Sequence, residues 1–186
     1  MLHSRKTVLA VITAVAFTIA LPAARAQMNP EVGGAPMFAS KNIVENAMNS
    51  KDHTTLVAAV KAAGLVDTLE GSGPFTVFAP TNEAFDKLPP GTVAGLLKPE
   101  NKAALIKVLT YHVVAGKLTE ARLRSAIKAG GGMATLTTVE GEPLMVTLYD
   151  DRIRLTDARG GTSTVTIGNV IQSNGLIDVV DGVLTP

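Results

Sequence analysis

The chain has 186 residues, of which 46% are hydrophobic and 18% charged, with 17 Lys and Arg against 16 Asp and Glu. It contains no Cys, which excludes disulfides and every cysteine-based metal or catalytic site. The charge is nearly balanced and no basic cluster stands out, so nucleic-acid binding is not expected. A chain of this size usually forms one domain with its own core.

Residues 1–26 have the organisation of a secretory signal peptide. Arg5 and Lys6 precede an apolar run at 7–21, and a small-x-small cleavage signature follows at 24–26. The run is short against the roughly 20 residues of a membrane helix, so we favour cleavage over an uncleaved anchor. The mature chain would then carry 14 basic against 16 acidic residues, a net charge of −2. We expect an exported protein, periplasmic or secreted, with no transmembrane segment after cleavage.

The mature chain is predicted to begin with a flexible lead at 27–39, where prolines and glycines occur with little periodicity. A domain at 40–186 follows. Its first half shows helical spacing of apolar residues, with Ser40 expected to cap a first short helix and Gly64 to end the next one.

The stretch 76–85 is typical of a strand that turns abruptly into a helix. Its first residues are β-branched or aromatic, and Pro80 has no N–H with which to continue a ladder. Thr81 is expected to cap the helix that follows. Phe78 and Phe85 lie on either side of the corner and are predicted to point into the core.

The second half of the domain is predicted to be mostly strands. A short strand is expected at 111–114, and apolar alternation recurs from 134 onwards, ending in a hairpin whose turn is Asn174-Gly175. Because helices come first and antiparallel strands second, the sequence favours an α+β fold over a doubly wound parallel sheet.

The sequence offers little catalytic chemistry. The mature chain has two histidines, His53 and His112, without the spacing of a metal-ligand pair, and no Gly-x-Ser-x-Gly elbow occurs. We therefore expect no metal, no cofactor and no enzymatic activity. Arg152, Arg154 and Arg159 form a charge-mixed stretch with Asp150, Asp151 and Asp157, and this even balance of signs favours a solvated face over a polyanion site.

Three segments in order make the chain resemble the fasciclin-like, or FAS1, domain family. They are residues 76–85, the Tyr-His stretch at 109–114 and the closing stretch at 174–186, and the resemblance covers about residues 40–186. The resemblance implies a wedge of strands with helices packed at one side. It also implies a binding or adhesion module without catalysis, whose partner is a protein or a cell-envelope component. Because some members bind hydrophobic pigments, a carrier of a small apolar ligand is the alternative.

The candidate binding residues are Tyr111, His112, Thr81, Asn82 and Asp178. His112 either braces the strand through backbone groups or contributes to a partner surface, and we favour the brace. Asp178 stands where the family commonly has His. If buried, it needs a donor, for which Tyr111, His112 or a backbone N–H are candidates; at a sheet edge it would be solvated. We expect the domain to be a monomer.

Overall fold

The computed structural model describes residues 29–186, and the predicted signal peptide at 1–26 lies outside them. The α-helices are α1 (Ile43–Ala47), α2 (Thr54–Ala63), α3 (Val66–Glu70), α4 (Asn82–Asp86), α5 (Thr92–Leu96), α6 (Lys102–Tyr111) and α7 (Glu120–Ala129), with 3₁₀ turns at Lys51–His53 and Pro99–Asn101. The strands are β1 (Glu31–Val32), β2 (Ala35–Pro36), β3 (Phe75–Pro80), β4 (Val113–Ala115), β5 (Met133–Thr137), β6 (Pro143–Tyr149), β7 (Arg152–Thr156), β8 (Thr162–Gln172) and β9 (Gly175–Val180).

The main sheet has seven strands in the order β4-β3-β9-β8-β7-β6-β5. Strand β3 runs parallel to β9, and the other neighbours are antiparallel. The sheet curls until its two ends approach each other, where the Val139 N–H donates to the Val113 carbonyl at 2.7 Å and Val114 bridges Thr138. The α+β prediction is confirmed.

Two apolar cores lie on the two sides of β3, because its side chains alternate between the faces of the sheet. Val77 and Ala79 belong to the core beneath the N-terminal helices. Phe78 belongs to a second core inside the curl of the sheet, which α7 covers with Leu123 and Ile127. The corner predicted at 76–85 therefore contributes to both cores.

The predicted helix ends are confirmed at two positions and wrong at a third. The Thr81 hydroxyl accepts from the Ala84 N–H at 3.2 Å at the start of α4, and Gly64 ends α2 in the left-handed conformation with φ 72°. Helix α1 begins with Asn42 in a capping box with Glu45, and not with a cap at Ser40. The Asn42 side chain accepts from the Glu45 N–H and the Glu45 side chain accepts from the Asn42 N–H, so two free backbone donors at the start of the helix are satisfied.

The prediction of a flexible lead is wrong for residues 29–39. They form the β1–β2 hairpin, in which Val32 and Met37 are 3% and 6% exposed and join the core beneath the helices. The Asn29 side chain exchanges two hydrogen bonds with the Ile171 backbone. Gly33 and Gly34, with φ 60° and 70°, supply the hairpin turn, while the two buried apolar side chains hold the segment against the domain.

A second correction concerns the Tyr-His pair, which was predicted to lie in a strand. Tyr111 is the last residue of α6 and His112 is its C-cap, with helical backbone angles of φ −83° and ψ 0°. The strand β4 begins only at Val113. Helix α6 therefore continues through Tyr111 to its C-cap at His112, although the β-forming side chains of residues 111–114 favour a strand.

Candidate functional site

Tyr111 lies in the core inside the curl of the sheet, with no exposed surface. Its hydroxyl donates to the Pro143 carbonyl at 2.8 Å and accepts from the Ala158 N–H at 3.1 Å. Burial raises the pKa of this hydroxyl, so it stays protonated and able to donate. Tyr111 thus joins the end of α6 to β6 and to the loop between β7 and β8.

His112 is 2% exposed, and both of its ring nitrogens have partners. Nδ1 lies 2.7 Å from the Val108 carbonyl, and Nε2 accepts from the Leu184 N–H at 2.9 Å. This pattern requires a neutral ring with its proton on Nδ1. Burial lowers the pKa of His112 to about 4, which agrees with that protonation state.

The backbone of His112 completes the connection to the segment at 76–85. Its carbonyl accepts from the Phe78 N–H at 2.9 Å, next to the pairing of β3 with β4. One residue therefore connects α6, β3 and the C-terminal segment. This geometry supports the bracing role for His112.

Thr81 and Asn82 are half-buried, and their side chains are occupied within the domain. Thr81 caps α4, while the Asn82 Oδ1 accepts from the Thr55 N–H at 3.0 Å in the first turn of α2. The Asn82 Nδ2 also donates to the Lys51 carbonyl at 2.9 Å. Asn82 thus supplies an N-cap to a helix that it follows by more than twenty residues in the chain, a role that sequence reasoning missed.

Asp178 is 1% exposed and lies on the face of β9 that points into the curl of the sheet. Its Oδ1 accepts from the Asn169 N–H at 2.8 Å, so the backbone alternative among its predicted donors is the one observed. Its Oδ2 has no hydrogen-bond partner within residues 29–186. Burial, with a smaller contribution from the charge of Glu120, raises the pKa of Asp178 to about 7.

A bulge in β8 brings Asn169 to Asp178. Asn169 has φ 60° and lies within the second of two register shifts between β8 and β9, the one between Ile167 and Val170. Its side chain accepts from the Glu120 N–H at 2.8 Å and reaches the Glu120 carboxylate with its Nδ2 at 3.4 Å. Gly168-Asn169 inside an apolar strand pattern is the sequence signal that could have indicated this bulge.

The five candidate residues do not form a single site. Tyr111 and His112 are adjacent, but neither donates to Asp178, whose neighbour is Glu120 on α7. No group of three or more metal-ligating side chains occurs within residues 29–186. His53, the other histidine there, is buried against the Ser50 hydroxyl at 2.8 Å.

An apolar cavity of about 40 Å³ lies beneath the N-terminal helices. Side chains of α1, α2, α3 and α6 line it together with Val77, Val113 and the His112 ring. Larger hollows, of about 500 and 430 Å³, are open grooves on the surface beside α5. Ligand pockets for drug-sized molecules usually measure roughly 300–1,000 Å³, so the enclosed cavity is too small for a pigment in this conformation.

A family model described as the fasciclin domain matches residues 51–186 of this chain. The chain therefore belongs to the fasciclin, or FAS1, domain family, as the three sequence segments predicted. It is similar to the FAS1 domain pair of the insect cell adhesion molecule fasciclin I, with a TM-score of 0.71 and 18% identity over 82% of this chain and 52% of that one. That likeness shows the fold.

Two bacterial relatives are more similar in sequence. Protein sll1483 of Synechocystis sp. is 47% identical over 155 residues, covering 83% of this chain and 79% of the relative. Immunogenic protein MPB70 of Mycobacterium bovis is 37% identical over 145 residues, covering 75% and 66% respectively. Within residues 29–186, no helix has the length and apolar character needed to cross a membrane.

Proposed function

We propose that the protein is an exported, monomeric FAS1 module that binds a protein or a cell-envelope component through its surface and catalyses no reaction. The signal-peptide pattern at 1–26 supports export. A relative named cell surface glycolipoprotein MPB83, from Mycobacterium bovis, is 34% identical over 159 residues and supports a place at or beyond the cell surface.

The observation that carries the proposal is the use of the polar side chains of three candidate residues, two buried and one half-buried. Tyr111, His112 and Asn82 each hydrogen-bond to backbone of distant segments, so their chemistry serves the fold. The apolar cavity beneath the helices measures about 40 Å³, far below the roughly 300–1,000 Å³ of a ligand pocket. With the interior committed in this way, recognition falls to the exposed surface.

Sedimentation with envelope material tests this proposal. Protein lacking residues 1–26 is mixed with washed envelopes of its own host, pelleted and quantified, with a heat-unfolded sample as control. We expect saturable sedimentation of the folded protein. Protein that remains in the supernatant at every envelope concentration would contradict the proposal, and fractionation of the host tests the exported location.

A carrier of a small apolar ligand is the second candidate, because the cavity beneath the helices is lined almost entirely by aliphatic side chains. Binding a pigment there would require α1 and α2 to move apart from the sheet. Protein purified from its own host is examined by absorbance and by mass spectrometry of extractable small molecules. A stoichiometric bound ligand would favour the carrier over the surface module.

A further inference from the structure

Strands β5 to β8 present one side of the sheet to solvent, which we call the outer face. It consists of every second residue of each strand. These are Met133, Thr135 and Thr137 in β5, Pro143, Met145, Thr147 and Tyr149 in β6, Arg152, Arg154 and Thr156 in β7, and Thr162 and Thr164 in β8. The intervening residues of β6 and β7 point into the core inside the curl and are mostly buried. Helix α7 packs on that inner side, so the outer face is a separate surface.

The outer face contains no acidic residue. Of its twelve positions, six are Thr, two are Arg, two are Met, and the others are Tyr and Pro. The strand register aligns them in rows, such as Met133, Thr147, Arg154 and Thr164. Rows lie about 7 Å apart and neighbours within a row about 5 Å apart, which places hydroxyls and guanidinium groups in a regular array.

The aspartates near these arginines in the sequence lie outside the twelve positions of the outer face. Asp157 is 3% exposed and accepts from the backbone of Arg159, Gly161 and Thr185. Asp151 is bound by Arg124 of α7 at 2.7 Å. Asp157 is therefore removed from the surface, whereas Asp150 and Asp151 remain exposed in the β6–β7 turn, where Arg124 pairs with Asp151.

Arg152 and Arg154 are the cations of the outer face. The Arg154 guanidinium lies over the Tyr149 ring, 3.4 Å from its centre, and Arg152 is paired with Tyr149 across the strands. Within residues 29–186, neither arginine lies within 4.0 Å of a carboxylate. Stacking holds Arg154 in place before any ligand arrives, which lowers the entropy cost of binding an anion.

We propose that the outer face binds an acidic polysaccharide, with sugar carboxylates at Arg152 and Arg154 and sugar hydroxyls along the threonine rows. The proposal rests on the surface-binding function above and names its partner class. A repeating array of hydroxyl groups with two guanidinium groups, of which that of Arg154 is held by stacking, complements a polymer that repeats hydroxyls and carboxylates. No acid stands among the twelve positions of the face, and Arg124 offsets the charge of Asp151 in the adjoining turn, which limits the repulsion that such a polymer meets.

Binding of the protein lacking residues 1–26 to polygalacturonate tests the proposal, with dextran as the uncharged comparison. Affinity is measured at about 50 mM and about 500 mM NaCl, since salt screens exposed charges. We expect binding to polygalacturonate only, weaker at high salt. No binding to polygalacturonate, or equal binding to dextran, would overturn the proposal.

Charge-matched variants then locate the site. The double variant Arg152→Gln/Arg154→Gln is compared with Arg122→Gln/Lys128→Gln, which removes the same charge from exposed positions of α7. Each lost charge-assisted contact is worth roughly tenfold in affinity, so we expect about a hundredfold loss in the first variant and less than about twofold in the second. Equal losses in both would contradict the proposed site.

A further variant keeps both arginines and their packing. Thr135→Glu adds an acid to the outer face and is expected to weaken binding about tenfold, whereas Thr68→Glu on α3 is the control and should bind as the parent does. Melting temperatures of all variants establish that they fold. Unchanged polygalacturonate binding by folded Thr135→Glu would overturn the proposal.

Two comparisons separate this proposal from its alternatives. The parent protein and Arg152→Gln/Arg154→Gln are also tested for binding to phosphatidylglycerol vesicles. If the parent binds the vesicles more tightly than polygalacturonate and the variant loses that binding, the partner is a membrane surface and the polysaccharide proposal is overturned. If that variant sediments with host envelopes as well as the parent, the outer face is refuted while the surface-binding function stands. If the parent itself does not sediment, the surface-binding function fails.

Discussion

Replacing Asp178 by Asn should change how the stability of the domain depends on pH. The pKa of Asp178 is raised from 3.8 to about 7 in the folded protein. Between about pH 4 and about pH 7, the folded state therefore keeps a proton on Asp178 that the unfolded state has released. The contribution of Asp178 to stability is complete below about pH 4 and is lost as the pH rises through about 7.

The magnitude follows from the size of the pKa shift. A shift of about 3 units at about 1.4 kcal/mol per unit corresponds to about 4 kcal/mol in total, of which about 3 kcal/mol is lost between about pH 4.5 and pH 8.5. The amide introduced by Asp178→Asn would have no charge to desolvate. Its oxygen could still accept from the Asn169 N–H, and its NH₂ group could donate towards Glu120.

Urea unfolding at these two pH values measures the effect. We expect Asp178→Asn to be more stable than the parent by about 2 to 3 kcal/mol at about pH 8.5 and to differ by less than about 1 kcal/mol at about pH 4.5. Asp150→Asn, which replaces an exposed aspartate, is the control and should leave the difference between the two pH values unchanged. A variant destabilised equally at both values would refute the raised pKa, because the ionised carboxylate would then be the form the fold requires.

Three further substitutions test the internal contacts of the other candidate residues and of the hairpin. His112→Ala leaves the buried Leu184 N–H without its acceptor and should cost about 2 to 3 kcal/mol, measured by urea unfolding; unchanged stability together with lost envelope sedimentation would instead favour a partner-contacting His112. Asn82→Ala removes the cap of α2 and should cost about 1 kcal/mol, with faster amide exchange at Thr55; protection equal to the parent would contradict the capping role. Val32→Ala should cost about 1 to 3 kcal/mol in thermal unfolding because it opens a cavity under the hairpin, whereas a flexible lead would give no change.

The sequence by itself predicted the features that depend on neighbours within a few residues. The cap at Thr81 needs only a free N–H three positions later, and the end of α2 needs only a residue that tolerates a positive φ at Gly64. The hairpin predicted around Asn174-Gly175 is present, although its two turn residues are Ser173 and Asn174, because Gln172 pairs with Gly175. These local signals, in their order along the chain, were sufficient to predict the α+β fold and the FAS1 family.

The tertiary structure decided which residues from distant segments meet. Whether Asn82 is a surface residue or the cap of α2 depends on where α2 lies, and the donor to Asp178 depends on a bulge in the neighbouring strand. The outer face depends on the strand register, on the burial of Asp157 and on the pairing of Asp151 with Arg124. Side-chain periodicity alone cannot contain this information, because the charge and burial of a group are set by the segments that pack against it.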